Sequence, residues 1–171
     1  MPQDDAIGRL ARQIDAAQRD ERLLAAEDAI REMRRRAACE LHSVCADFVA
    51  AVNRHLSGAL LDLSPATYAP ETFREEGVNL IQISSQGRQM QIAFEATPQG
   101  VSTEKFRIPY TLEGEVRAYN QKMLERFEIQ SRLIFFCVEG ETAVWRFFDW
   151  RTLRTGPVDG ALFVGLMEPL F

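Results

Sequence analysis

Apolar positions in the first third of the chain repeat with helical spacing. From Ile30 they recur every three or four residues, at Met33, Ala37, Leu41, Val44, Phe48, Val52 and Leu56. Between Arg9 and Ser57 the chain has no glycine or proline, and its only aromatic residue is Phe48. This composition and spacing predict a long amphipathic helix.

A second apolar stripe precedes the first, at alternating spacings of three and four residues: Ile7, Leu10, Ile14 and Ala17. Glu21 and Asp28 interrupt its continuation. The two stripes therefore lie on different faces of one helix, or on two helices separated by a break near Arg19–Arg22. Either arrangement predicts a helical segment over residues 1–57.

Beyond residue 58, aromatic and β-branched residues alternate with polar ones between regularly spaced glycines, which is typical of β-strands joined by turns. Five strands are predicted, at Val78–Ser84, Arg88–Ala96, Thr103–Leu112, Arg126–Val138 and Thr142–Trp150. The segment Glu115–Leu124 fits a short helix or an edge strand. Helical spacing after Asp159, a residue suited to a helix N-cap, predicts a short C-terminal helix.

These elements predict an α+β fold of one domain, in which residues 1–57 form the helical segment and residues 58–171 the antiparallel sheet portion. A long N-terminal helix, or two, packs on a mostly antiparallel sheet of about five strands. A short helix closes the chain.

Charge and composition limit the partners. The net charge of −5 disfavours general binding to nucleic acid or an anionic membrane. The longest uninterrupted apolar run, Leu133–Val138, is too short to span a membrane, and the first residues lack the apolar run of a secretory signal. Three cysteines without a scaffold pattern are typical of reduced thiols. The 18 arginines and 2 lysines are typical of a protein from a GC-rich bacterial genome. Charge, N-terminus and cysteines together predict a cytoplasmic protein without nucleic-acid or membrane partners.

Two polar groups on the predicted helix are candidates for chemistry. Cys39, His42 and Cys45 have a spacing that resembles a metal-binding motif, but one helix cannot supply the four ligands of a zinc site. We therefore expect packed cysteines, a surface histidine and no metal. The run Arg34–Arg36 points in three directions around the helix, beside acidic residues, which predicts a solvated face rather than a phosphate site.

The run from Trp145 to Gly156 is the most unusual segment, since aromatic residues and arginines alternate there. Alternation places Trp145, Phe147 and Asp149 on one sheet face and Arg146, Phe148 and Trp150 on the other, so both faces need cover. One interpretation is a core strand, with Asp149 paired to Arg151 or Arg154 in the following turn. The other is a pocket or partner surface, because aromatic residues and arginine are enriched in interface hot spots.

The candidate ligand or partner surface consists of His55, near the end of the predicted helix, and six residues of the sheet portion: Tyr110, Tyr119, Trp145, Asp149, Trp150 and Arg151. Without a recognisable catalytic motif, the leading expectation is an interaction or regulatory domain without catalytic activity or cofactor. The alternative is a small-ligand binder or simple acid/base enzyme, with a pocket between helix and curved sheet.

The apolar surface exceeds what one helix on one sheet needs. Both faces of the hairpin Leu133–Trp150 are apolar, and the stripe from Ile7 to Ala17 has no evident partner within the chain. A symmetric homodimer, which buries the N-terminal helix or the exposed sheet face, would cover this surface.

Overall fold

Three helices and seven strands make up the regular structure of the part of the chain that is described. The computed structural model describes residues 4–19 and 26–171. The elements are α1 (Pro2–Asn53), β1 (Asp62–Ser64), β2 (Asn79–Ser85), β3 (Arg88–Ala96), β4 (Tyr110–Tyr119), α2 (Gln121–Glu125), β5 (Gln130–Glu139), β6 (Thr142–Asp149), β7 (Arg154–Pro157) and α3 (Gly160–Met167), with short 3-10 turns at Pro70–Thr72 and Glu168–Leu170.

The chain divides into two compact units, residues 1–33 and residues 34–171. Residues 34–57 of the predicted helical segment therefore belong to the same unit as the sheet. In the first unit the apolar side chains of Ile7, Leu10 and Ile14 are 60%, 56% and 48% exposed. The predicted break near Arg19–Arg22 falls mainly on residues 20–25, outside the described residues. Within the described part of the chain, no helix combines the length and apolarity that crossing a membrane requires.

The seven strands form one antiparallel sheet in the order of the chain, β1 to β7. The predicted α+β class is confirmed, with an N-terminal helical region on an antiparallel sheet and a short C-terminal helix. The predicted number of about five strands is wrong. The two unpredicted strands, β1 and β7, have only three and four residues, which is too short for a period of two to be visible.

Two predicted strand starts are wrong. Only the last three residues of the predicted strand Thr103–Leu112 belong to β4, and β5 begins at Gln130 rather than Arg126. The ambiguous segment Glu115–Leu124 contains both predicted structures, because β4 continues to Tyr119 and α2 follows. The Asn120 side chain separates the two elements, since it accepts a hydrogen bond of 2.9 Å from the Met123 amide and caps α2.

One face of the sheet packs under helices and is called the helix face. The part of α1 after Met33 turns its buried residues towards it: Ala37, Ala38, Leu41, Cys45, Phe48 and Val49. The Trp145 indole N–H donates to the Ala37 carbonyl oxygen at 2.8 Å, and the Phe48 ring meets the Phe163 ring of α3 edge to face at 5.5 Å. These contacts join α1, α3 and the sheet around one core.

Two glycines allow the neighbouring strand to approach closely on the helix face. Phe94 pairs with Gly114 across β3 and β4, and Phe147 pairs with Gly156 across β6 and β7. A Cβ atom at Gly114 would stand 2.8 Å from the Phe94 Cα, and one at Gly156 would stand 2.9 Å from Phe147 Cε1. A side chain at either position would occupy the space of its neighbour.

The other side of the sheet, the opposite face, is half apolar and half polar. Residues 101–109 lie over its apolar half, where the Phe106 ring stacks on Phe135 at 4.9 Å and contacts Phe148 at 5.8 Å. In the polar half, the Gln89 side-chain oxygen accepts hydrogen bonds from the Tyr119 hydroxyl and the Gln82 amide, at 2.9 and 3.1 Å. The apolar residues that alternate along β6 are therefore packed on both faces, by helices on one and by residues 101–109 on the other.

Candidate functional site

The structure does not bring the seven predicted site residues together. Trp145 lies on the helix face and is buried, with its indole N–H occupied by the Ala37 carbonyl. Tyr110 lies on the opposite face, fully buried, and its hydroxyl accepts a hydrogen bond of 2.9 Å from the Lys105 amide. Both residues therefore stabilise the core of residues 34–171, on different faces of the sheet.

Two further predicted residues lie away from this core. His55 is exposed in the turn that follows the end of α1 at Asn53, so its predicted place on the helix is wrong. The Tyr119 hydroxyl donates to the Gln89 side chain on the opposite face. Neither residue faces Asp149, which lies on the helix face at the end of β6.

Asp149 holds the β6–β7 turn. Its carboxylate accepts hydrogen bonds of 3.0 Å from the Arg151 amide and from the Thr152 hydroxyl. Burial alone would raise the pKa of this carboxyl, but those two donors and the nearby Arg132 guanidinium outweigh it and hold the pKa below its ordinary value. The predicted ion pair with Arg151 or Arg154 is wrong. The charged partner is Arg132, with its Nε 3.5 Å from the carboxylate, because β5 rather than the turn brings a guanidinium to this side.

The turn after Asp149 presents apolar side chains to solvent. Trp150 and Leu153 are 57% and 74% exposed, and the Arg151 guanidinium lies 5.2 Å from the centre of the Trp150 ring. Phe127, before β5 at the same end of the sheet, is 92% exposed. Leu153 and Phe127 have φ angles of 60° and 55°, a conformation that costs side-chain-bearing residues energy. Predicted surface residues Trp150 and Arg151 thus lie together here.

A cavity of about 400 Å³ opens between α3 and the end of β6 and β7. Three charged residues lie side by side on adjacent strands of its wall. These residues are Arg132 of β5, Asp149 of β6 and Arg154 of β7. Asp149 pairs with Arg154. Because Leu133 pairs with Phe148, Arg132 lies opposite Asp149, one residue further along both strands. Asp159, Leu162 and Leu166 of the α3 region complete the lining with Phe147. Of the predicted site residues, only Asp149 reaches this cavity.

The spacing of Cys39, His42 and Cys45 does not produce a metal site. Among the described residues, no three histidine, cysteine or acidic side chains are placed to share a metal ion. The prediction of a surface histidine is wrong. His42 is 6% exposed, because its Nε2 donates to the Pro65 carbonyl at 2.7 Å and its ring stacks on Tyr68 at 5.3 Å. The segment after β1 covers this side of α1, which helix periodicity could not reveal.

The thiols lack the environment of a nucleophile. Burial raises the pKa of Cys45 to about 12 and that of Cys137 to about 11. Burial, together with the carboxylates of Glu71 and Glu40, also raises the pKa of Cys39. A reactive cysteine needs the opposite shift, because the thiolate is the attacking species.

Arg34 is the functional group that the sequence interpretation missed. It was expected on a solvated face, yet it is 6% exposed. Its guanidinium forms an ion pair with Glu75 and donates to the Thr111 carbonyl at 3.1 Å. It also donates to the carbonyls of Thr97, Gln99 and Gly100 at 3.3 to 3.4 Å. Arg34 therefore holds α1 to the connection between β3 and β4.

Comparisons with known protein families, curated proteins and solved structures show no match to this chain.

Proposed function

We propose that this protein is a bacterial cytoplasmic interaction domain without catalytic activity, which associates with a second copy of itself through the N-terminal part of α1. The observation that carries the proposal is the exposed stripe of Ile7, Leu10 and Ile14. Spacings of three and four residues place these side chains on one side of a helix, as in the seam of a helical pair. Only a partner can remove such a stripe from water, because a single helix has no core of its own.

The sheet offers less reason for a partner than the sequence indicated. The apolar residues on the opposite face of β5 and β6 are covered by residues 101–109 of the same chain, with Phe106 against Phe135 and Phe148. Two apolar features favour a dimer: the stripe on the N-terminal part of α1 and the opposite face of β5 and β6. Only the stripe remains exposed to solvent among the described residues. The proposal therefore places the interface on the helix.

The expected affinity is modest. Full burial of a leucine or isoleucine side chain contributes roughly 1.5–3 kcal/mol. Since Ile7, Leu10 and Ile14 are about half exposed, burying six such side chains contributes roughly 5–9 kcal/mol. Association costs about 4 kcal/mol or more in lost freedom. The remaining free energy of at most about 5 kcal/mol corresponds to a dissociation constant of about 0.2 mM or weaker.

Charges along the helix fit a pair of antiparallel copies. The first turn carries Asp4 and Asp5, whereas Arg19 lies four turns further along. A two-fold axis midway between Leu10 and Ile14 would bring Asp5 of one copy to the level of Arg19 of the other. Opposed helix dipoles add to this preference.

The chemistry of the polar groups supports a role in binding rather than in catalysis. The Asp149 carboxylate is occupied by the donors of its own turn, and burial raises the pKa of Cys45 and Cys137. A general acid or base needs a pKa near the working pH and access to substrate. Asp149 instead stabilises the turn that displays Trp150 and Arg151.

The experiment is sedimentation equilibrium on the full chain from about 20 µM to 2 mM, a range that brackets a dissociation constant of about 0.2 mM. We expect a reversible monomer–dimer equilibrium. The double substitution Leu10→Gln and Ile14→Gln should shift the equilibrium to monomer. It should leave the melting of residues 34–171 unchanged. Arg12→Gln, an exposed change between the same two positions, should leave the equilibrium intact. A protein that stays monomeric at about 2 mM, ten times the expected dissociation constant, or a dimer that survives the double substitution, would exclude this interface.

A further inference from the structure

The cavity between α3 and the ends of β6 and β7 combines charged and apolar walls. Its charged side chains are Arg132, Asp149, Arg154 and Asp159, two positive and two negative. Its volume of about 400 Å³ lies at the small end of the range of small-molecule sites. Such a lining selects a small ligand that carries both charges or neither.

One cationic group of the cavity is free to bind an anion. Asp149 lies between Arg132 and Arg154, but its carboxylate is already engaged by the Arg151 amide, the Thr152 hydroxyl and Arg132. Arg154 donates its backbone amide to the Thr152 hydroxyl. Its guanidinium has no carboxylate partner in the described part of the chain. An arginine in this state can bind a ligand carboxylate in two-pronged fashion.

One anionic group is free to bind a cation. The Asp159 carboxylate caps α3 through one oxygen, which accepts a hydrogen bond of 3.0 Å from the Leu162 amide. Its second oxygen has no donor among the described residues. A carboxylate that keeps one oxygen for a ligand can accept hydrogen bonds from an ammonium group without losing its role as a cap.

The remaining wall is apolar. Phe147 comes from the sheet, and Leu162 and Leu166 come from α3. Leu166 is buried, so this wall belongs to the core and keeps its shape without a ligand. A preformed apolar wall beside opposite charges fits a ligand with a hydrophobic side chain next to its charged groups.

We infer that this cavity binds a free α-amino acid with an apolar side chain. Arg154 binds the carboxylate, Asp159 binds the ammonium group, and the side chain packs on Phe147, Leu162 and Leu166. A simple anion would meet the unpaired Asp159, and a simple cation would meet the unpaired Arg154. A zwitterion satisfies both charges. This inference does not depend on the dimer, because every residue of the cavity lies in the second unit.

Isothermal titration calorimetry on the full chain tests the ligand class without any substitution. L-Leucine and L-phenylalanine should bind saturably, with a dissociation constant between about 10 µM and 1 mM. N-acetyl-L-leucine lacks the ammonium charge and L-leucinamide lacks the carboxylate, so each should bind at least tenfold more weakly. Absence of binding by any apolar amino acid at 10 mM, about ten times the upper limit, would refute the inference. Equal binding of the singly charged analogues would refute it as well.

Variants test the two charged contacts. Arg154→Met should weaken L-leucine binding at least tenfold. Asp159→Asn should do the same while the helix remains capped, since asparagine is also a good N-cap. Arg151→Met is the matched control, because it removes an exposed arginine of the same turn that does not line the cavity. Unchanged affinity in Arg154→Met, with melting temperatures close to the parent, would assign the binding to another site.

Discussion

Replacement of Arg34 by methionine tests whether a buried ion pair holds α1 to the sheet. Methionine keeps the length and much of the apolar stem of the side chain, but it removes the guanidinium. The Glu75 carboxylate then loses its charged partner, and the carbonyls of Thr97, Gln99 and Gly100 lose a donor. The substitution therefore leaves polar groups without partners instead of exchanging one contact for another.

The expected loss follows from the environment of the pair. Breaking a buried ion pair by removing one partner destabilises a protein by roughly 3–5 kcal/mol. Glu75 is the more solvated partner, with a side chain 30% exposed against 7% for Arg34. The Thr111 carbonyl also keeps the Thr97 amide as a donor, at 3.1 Å. Both facts favour the lower limit, about 3 kcal/mol, which for a chain of this size lowers the melting temperature by roughly 6–12 °C.

The assay is chemical unfolding at one fixed protein concentration, followed by circular dichroism and by tryptophan fluorescence. Arg35→Met serves as control, because Arg35 is exposed on the same turn of α1. The control should lie within about 0.5 kcal/mol of the parent. Adding Glu75→Gln to Arg34→Met should recover part of the loss, since it removes the stranded charge. Arg34→Met as stable as Arg35→Met would refute a structural role for the buried guanidinium.

Three further substitutions or measurements probe the core, the β6–β7 turn and the thiols. Gly114→Ala should destabilise the protein by roughly 3 kcal/mol or more in urea unfolding, because the new methyl group would stand 2.2 Å from the Ala93 carbonyl oxygen and 2.8 Å from the Phe94 Cα. Gly58→Ala has open space and should be nearly neutral. Asp149 has a lowered pKa in the folded state, so its stabilisation is present above its unfolded pKa near 4 and is lost as the pH falls through the folded value. Asp149→Asn should therefore be less stable than the parent at pH 7, with a difference that shrinks below about pH 4; a constant difference would contradict this assignment. Thiol titration at pH 8 should leave Cys45 and Cys137 unmodified until denaturant is added, because both are buried and their pKa values are raised.

The helical pattern predicted the part of the fold where one face is buried along many residues. Ala37, Leu41 and Phe48 follow the predicted stripe and lie on the buried side of α1. Strands β2 and β3 also match their predicted positions to within a residue or so, because a tight turn separates two runs of alternating residues. Over such lengths the period of apolar positions identifies the element without knowledge of its neighbours.

Local pattern fails where a distant segment supplies the partner. Thr103–Leu112 reads as a strand because Phe106 and Ile108 alternate with polar residues. In the structure they instead turn towards the opposite face, where they pack against the cluster around Phe135 as a loop. The same limit applies to His42, which is buried by Pro65 and Tyr68 rather than by its own helix. Of the residues proposed for the candidate site, Asp149, Trp150 and Arg151 lie in or beside one turn, whereas Tyr110 and Trp145 lie in the core.

Arg34 shows why its buried position could not be predicted from the pattern of α1: its partners lie in the connection between β3 and β4. Residues 97–100 form no strand, so several of their carbonyls cannot find donors in the ladder of β3 and β4. A buried carbonyl needs a donor from elsewhere, and an arginine can serve several at once. By fixing this connection, Arg34 also fixes the start of residues 101–109, whose Phe106 covers Phe135 and Phe148 on the opposite face. A charge on α1 thus helps to hold the segment that covers the apolar half of the opposite face, together with the backbone hydrogen bonds between Ser102 and Tyr110. Loss of Arg34 should therefore expose aromatic surface on the face that α1 does not touch.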